Sequence, residues 1–112
     1  MSLHLISQIK KVRDLLTAVC SKTYHYEAPE RNTANEYIVW QEDGEADSLH
    51  TDNSKSEQVI QLSINLYTKA EYSPLIDTLQ NLFADSMVSF TLVSVTFETE
   101  TKFIHYEWQC EI

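Results

Sequence analysis

VSFTLVSVTF (Val88–Phe97), ETET (Glu98–Thr101) and KFIHYEWQCEI (Lys102–Ile112) read as two long strands joined by a tight connection. In the second strand Ile104, Tyr106, Trp108, Cys110 and Ile112 alternate with Phe103, His105, Glu107, Gln109 and Glu111. Period-two alternation with aromatic and β-branched residues is the mark of a half-buried strand. In the first strand the phase slips. Val88, Phe90 and Leu92 share one side, whereas Val93, Val95 and Phe97 share the other. A bulge near Leu92–Val93 reconciles them, because one extra residue restores the alternation. The apolar face needs cover from the helix and strand that precede it.

Working upstream, Ser73-Pro74 marks a helix start. Serine caps, proline fits the first helical position, and Asp77 lies near the positive end of the helix dipole. Leu75, Ile76, Leu79, Leu82 and Phe83 form its apolar face to about Ser86. Gln58 to Lys69 is a strand with Ile60, Leu62, Ile64 and Leu66 inward and Gln61, Ser63, Asn65 and Tyr67 outward. Glu36 to Gln41 is another, and its continuous run Tyr37-Ile38-Val39-Trp40 predicts burial on both faces or a helix packed over it. Trp40 reads as a core anchor. Thr23 to Tyr26 predicts a short strand, followed by a loop with Pro29 and two asparagines. At the start, Leu5, Ile9, Val12, Leu16 and Val19 fall on one helical stripe, widened by Ile6, Leu15 and Cys20.

Glu42 to Ser56 is polar and acidic and reads as a long mobile loop opened by an Asp43-Gly44 turn. Asp43, Glu45 and Asp47 alternate as calcium ligands would. However, Ser48 stands where the calcium loop needs glycine and Ser54 where it needs a bidentate glutamate, so calcium is not expected.

The order helix, strand, strand, loop, strand, helix, strand, strand predicts an α+β fold in one domain spanning residues 1–112. It has a mainly antiparallel sheet of four to five strands with two helices packed on one face. The expected core holds Leu5, Ile9, Val12, Leu16, Val39, Ile60, Leu62, Ile64, Leu75, Leu79, Leu82, Val95, Ile104, Tyr106 and Trp108.

Composition narrows the function. The 112 residues are 43% hydrophobic, enough for a core, and carry a formal net charge of −9. The pI is near 4.7. Such a surface repels nucleic-acid phosphates and anionic lipid, so neither stable nucleic-acid binding nor membrane binding is expected. No apolar run reaches membrane-spanning length. MSLHLISQIKK places its charges after its apolar residues, the reverse of a signal peptide, which predicts cytoplasmic synthesis. Cys20 and Cys110 read as small core thiols, with a disulfide between them the alternative.

No catalytic constellation appears: no phosphate loop, no nucleophile elbow and no CxxC pair. His4, His25, His50 and His105 have no metal-ligand spacing, although His25 and His105 both lie on predicted strands and could meet in space. Glu98, Glu100, Glu107 and Glu111 read as a solvated strand face. The chain is therefore expected to be a binding protein, not an enzyme, with no cofactor and no metal. Lys10, Lys11 and Arg13 concentrate scarce positive charge on the first helix, as a solvated face or a surface for an acidic partner.

LYTKAEYSPLIDTLQNLF (Leu66–Phe83), LVSVTFETETKFIHYEWQCEI (Leu92–Ile112) and EYIVWQEDGE (Glu36–Glu45) together resemble small tail-completion proteins of long-tailed bacteriophages and prophages. The resemblance is collinear over about two thirds of the chain and rests on the strand–helix–strand–strand series, not on a single motif. It implies a tail-terminator-like α+β fold and a virion component that caps the tail tube and joins it to the head. It implies as partners a tail-tube protein and a head–tail connector protein, assembly in the host bacterial cytoplasm, and a homo-oligomeric ring, commonly a hexamer. It carries over no catalytic residue. The alternative is a cytoplasmic adaptor or subunit-binding domain without catalytic activity.

Ring formation also follows from the strands. Edge strands carry unpaired N–H and C=O groups, and the sheet face opposite the core carries Tyr67, Phe103 and His105. The expected subunit or partner contacts are therefore Lys10, Lys11, Arg13, Tyr67, Phe103 and His105.

Overall fold

The computed structural model describes residues 3–46 and 58–112. The elements are α1 (Leu5–Val19), β1 (Thr23–His25), β2 (Glu36–Glu45), β3 (Ile60–Thr68), α2 (Pro74–Ser86), β4 (Ser89–Phe97) and β5 (Ile104–Glu111). The five strands form one sheet in the order β1-β2-β3-β5-β4. All pairings are antiparallel except β1 with β2, which is parallel. The α+β expectation holds.

The parallel pair departs from a pure hairpin arrangement. Tyr26, with φ of 75°, turns the chain out of β1. Residues 27–35 then carry it back so that β2 starts level with β1, as a parallel neighbour requires. The β3–α2–β4 segment is a split crossover. β3 and β4 both run antiparallel to β5, which inserts between them. β5 is thus an interior strand and β4 is an edge.

α2 starts as its sequence dictates. Ser73 accepts a hydrogen bond from the Leu75 N–H, and Pro74 opens the helix. Ser73 also donates to Glu36 at the head of β2, and Thr68 at the end of β3 donates to the same carboxylate oxygen at 2.8 Å. One glutamate therefore satisfies two buried hydroxyls and ties β2, β3 and the start of α2 together. Buried polar groups need such partners.

Both helices lie on one face of the sheet. Val12 and Leu16 of α1, and Leu79 and Phe83 of α2, pack on Ile38, Trp40, Ile60, Leu62, Ile64, Leu66, Trp108, Cys110 and Ile112. Trp108 is fully buried, with its indole N–H donating to Gln80 at 3.1 Å and its ring edge-on to Phe83. Trp40 anchors the core as expected.

Four expected core members lie elsewhere, Ile104 among them, half-buried at the start of β5 outside the buried cluster. Leu5 is exposed because the first turn of α1 is uncovered. Val39 is only half-buried, since Ile38 and Trp40 take the helix side and alternation turns Val39 to the other face. Val95 is 52% exposed because β4 is an edge strand that α2 covers only near its start, at Phe90.

Two irregularities shape the strands. The β4 ladder shifts between Leu92 and Ser94, so Val93 is the expected bulge. Its effect is to bring Phe90, Leu92, Val95 and Phe97 to the helix side, opposite Cys110, Trp108, Tyr106 and Ile104. The second shift lies between Glu42 and Gly44. Asp43-Gly44 was expected as a turn; it is instead a bulge inside β2, which continues to Glu45. The remainder of the expected acidic loop, with its expected mobility and its failed calcium pattern, falls largely outside the described residues.

Candidate interaction surfaces

The helix-free face of the sheet gathers three of the expected contact residues. Tyr67 stacks on Tyr37 at 4.8 Å and on His105 at 4.3 Å. Phe103 sets its edge to both tyrosines, and the Lys69 ammonium lies 4.9 Å from its ring centre. The His105 Nε2–H donates to the Asn65 side-chain oxygen at 2.7 Å, and the Asn65 amide donates to the Val39 carbonyl. These rings meet because Tyr37, Tyr67 and His105 occupy one cross-strand row over β2, β3 and β5. Burial, with Glu98 nearby, raises the Tyr37 phenol above its ordinary pKa. Burial raises Tyr67 likewise, aided by Tyr37, Glu98 and Glu107. Both hydroxyls therefore remain neutral through physiological pH. Further along, around Asp43, this face is polar. Asp43 accepts hydrogen bonds from Ser63, Gln41 and Gln109, so its carboxylate joins β2, β3 and β5.

The basic trio lies on the other side of the sheet. Lys10, Lys11 and Arg13 are exposed on α1, and Arg13 pairs with Asp14 at 2.9 Å in solvent. Lys10 and Lys11 border a shallow groove of about 490 Å³ with Ser7, Leu15 and Ala18. The fold thus divides the six expected contacts into two surfaces, three residues on each.

His25 and His105 do not meet. His25 pairs with Trp40 in the β1–β2 ladder and stacks on it at 4.1 Å, on the helix side, with Tyr26 stacked on the imidazole at 3.8 Å. Glu42 contacts His25 Nε2 at 2.7 Å and accepts from the Tyr26 hydroxyl. Burial pushes the Glu42 carboxyl up, but the hydrogen bonds from Tyr26 and His25 outweigh it and hold the group below its ordinary value. The arrangement clamps β1 to β2. Among the described residues, no three His, Cys, Asp or Glu side chains come together as a metal site. Both cysteines are free, and burial pushes the Cys110 thiol up to about 12.

A third surface was not expected. α2 covers Phe90 and Trp108 through Phe83. Beyond that point Leu92, Val95 and Phe97 stand exposed, with Val93 and Val88 beside them. Val95 and Phe97 line a groove of about 650 Å³ with Ile104, Tyr106, Lys69, Glu71 and Lys102. Five apolar side chains of one short segment thus stand in water, and such clustered apolar exposure often marks a contact surface. A signal was present in the sequence: Val88 to Phe97 holds no charge, in a chain that is 22% charged. That it faces solvent depends on strand order, which periodicity does not supply.

No protein-family profile and no curated protein matches the sequence. Among solved structures, the fold is similar to that of a chain in the virion of a native gene transfer agent particle. The match covers 92% of this chain and 89% of that one, with a TM-score of 0.50 and 12% identity. At that identity the likeness is one of fold. Among the described residues no helix is long and apolar enough to cross a membrane.

Proposed function

We propose that this chain is a minor structural protein of a phage-like particle. Its type is tail completion or tail termination: it caps the tail tube and joins it to the head. The observation that carries this reading is the nearly end-to-end fold match to a chain of a gene transfer agent virion. It agrees with the resemblance of the three sequence segments to tail-completion proteins. In this reading the protein has no catalytic step and works through its surfaces. Copies associate into a closed ring at the tube end, contacting a tail-tube protein on one side and a connector protein on the other. The protein is assembled in the bacterial cytoplasm and ends in the virion tail. The net charge of −9 keeps it from adhering to DNA that passes nearby.

The test is negative-stain imaging and light scattering of the purified chain, alone and with the tail-tube protein of the same particle. The expected result is added ring density at the tube end. A strict monomer in every salt condition, with no binding to tube or connector, overturns the reading and leaves the adaptor alternative.

A further inference from the structure

We propose that the exposed strip on β4 is the seat of α1 from a second copy of this chain, in a head-to-tail contact. The inference rests on the ring reading above and names the two surfaces that make it.

The first observation is the strip itself. Two helices about 10 Å apart cover about 20 Å, whereas five strands at about 4.8 Å span about 24 Å. α2 therefore reaches β4 only near its start, at Phe90, and leaves the rest of the strand without cover. Leu92, Val95 and Phe97 point to the helix side with no helix over them. Natural edge strands are guarded by charge, proline, a bulge or a covering element. β4 has no charge and no proline, and its one irregularity is the Val93 bulge. The bulge guards the edge, but the apolar face of the strand is left without cover.

The second observation identifies the helix. Leu3, just before α1, and Leu5 and Ile6 in its first turn are exposed, the last at 61%. These side chains pack on nothing in their own copy's core. Next along the same helix come Lys10, Lys11 and Arg13, three of the eight basic residues in a molecule of net charge −9. Arg13 is paired with Asp14, so Lys10 and Lys11 carry the positive charge that acidic surface on another copy attracts. The strip ends in Glu98 and Glu100, with Glu71 at the groove rim, against Lys69 and Lys102. The amino end of α1 adds to the match: its N-cap, His4, makes no side-chain cap and its first turn holds no acid. A carboxylate from a neighbour complements the positive end of its dipole.

The two patches lie on different parts of the fold. α1 packs beside β1, at the opposite edge of the sheet from β4. A contact between unlike surfaces repeats from copy to copy and closes into a ring when the rotation permits. Pairing of β4 with another β4 would instead stop at a dimer.

Disulfide trapping with full-length chains separates these arrangements, since Ile6 and Val95 are both exposed and tolerate cysteine. Ile6→Cys and Val95→Cys chains are mixed under mild oxidant, each also alone, with Cys20→Ser in all. The expected result is cross-linking between the two variants roughly tenfold above either alone. Self-cross-linking of Val95→Cys alone points to edge-to-edge pairing and overturns the proposal. Absence of any cross-link, with or without tail-tube protein, also overturns it. A second measurement uses charge. Lys10→Glu with Lys11→Glu weakens assembly roughly tenfold, and adding Glu98→Lys with Glu100→Lys restores it. No effect of the first pair overturns the ionic part of the contact. Sedimentation of the unmodified chain separates the two readings. Oligomers that form without the mixed cross-link sink this interface and leave the ring, whereas a monomer under all conditions sinks both.

Discussion

Replacing Trp108 by alanine tests the packing logic of the whole sheet. The side chain is fully buried between Phe83 and Tyr106, and its indole N–H is bonded to Gln80. A tryptophan of this kind hides roughly 200 Å². At about 25 cal/mol per Å² the transfer contribution is about 5 kcal/mol, an upper value because the unfolded chain is already partly collapsed. Large-to-small core changes at aromatic sites cost about 3–5 kcal/mol, in agreement. A chain of this size is stable by roughly 5–15 kcal/mol, so the variant loses a large share of its stability. With a urea slope of about 1.5 kcal/mol per molar, the midpoint falls by roughly 2 M or more. Val95→Ala is the paired control. Val95 was expected in the core on the same periodicity, yet it is 52% exposed, so its loss costs less than about 0.5 kcal/mol. Urea unfolding followed by circular dichroism reads both. Equal midpoints for Trp108→Ala and the unmodified chain, or an equally large drop for Val95→Ala, would refute the assigned order of β4 and β5.

Three more outcomes follow from individual contacts. Glu36→Ala strands the buried Thr68 hydroxyl and unties the α2 cap, lowering stability by about 2 kcal/mol, whereas Glu30→Ala on the surface changes little; equal urea midpoints for the two variants contradict the anchor. Cys110 stays unreactive toward a thiol reagent at pH 8 in the native state, because burial holds its thiol near 12; labelling as fast as in denaturant contradicts its placement. Glu42 has a depressed folded pKa, so its stabilising contribution is present above the unfolded value near 4.5 and is lost as pH falls through the lower folded value. Glu42→Gln should therefore flatten the acid limb of the stability curve, and an unchanged limb argues against the β1–β2 clamp.

The elements were legible because each carries its own local physics. The stripe through Val12 and Leu16 has helical spacing, and Ser73-Pro74 starts a helix in any context. The alternation in Ile60–Leu66 and in Ile104–Ile112 assigns a face to each residue. Even the Val93 bulge was readable, because only an extra residue restores the phase of β4. The division of the contact residues was less legible. Tyr67 and His105 meet through pairing of β3 with β5, which joins residues 38 positions apart in sequence. Nothing local to either residue encodes that.

Local pattern determined that Val88–Phe97 is a strand and which of its side chains share a face. Only the tertiary structure decided that this strand is the edge. Both hairpin strands are apolar on one face, and periodicity is blind to which of them a third strand will choose. β3 pairs with β5, and α2 then covers the sheet only as far as Trp108 and Phe90. The same alternation therefore buries Trp108 and leaves Val95 and Phe97 in water. Apolar character is a property of the residue, but its burial depends on a neighbour that the chain supplies from far away in sequence, or that a second copy must bring.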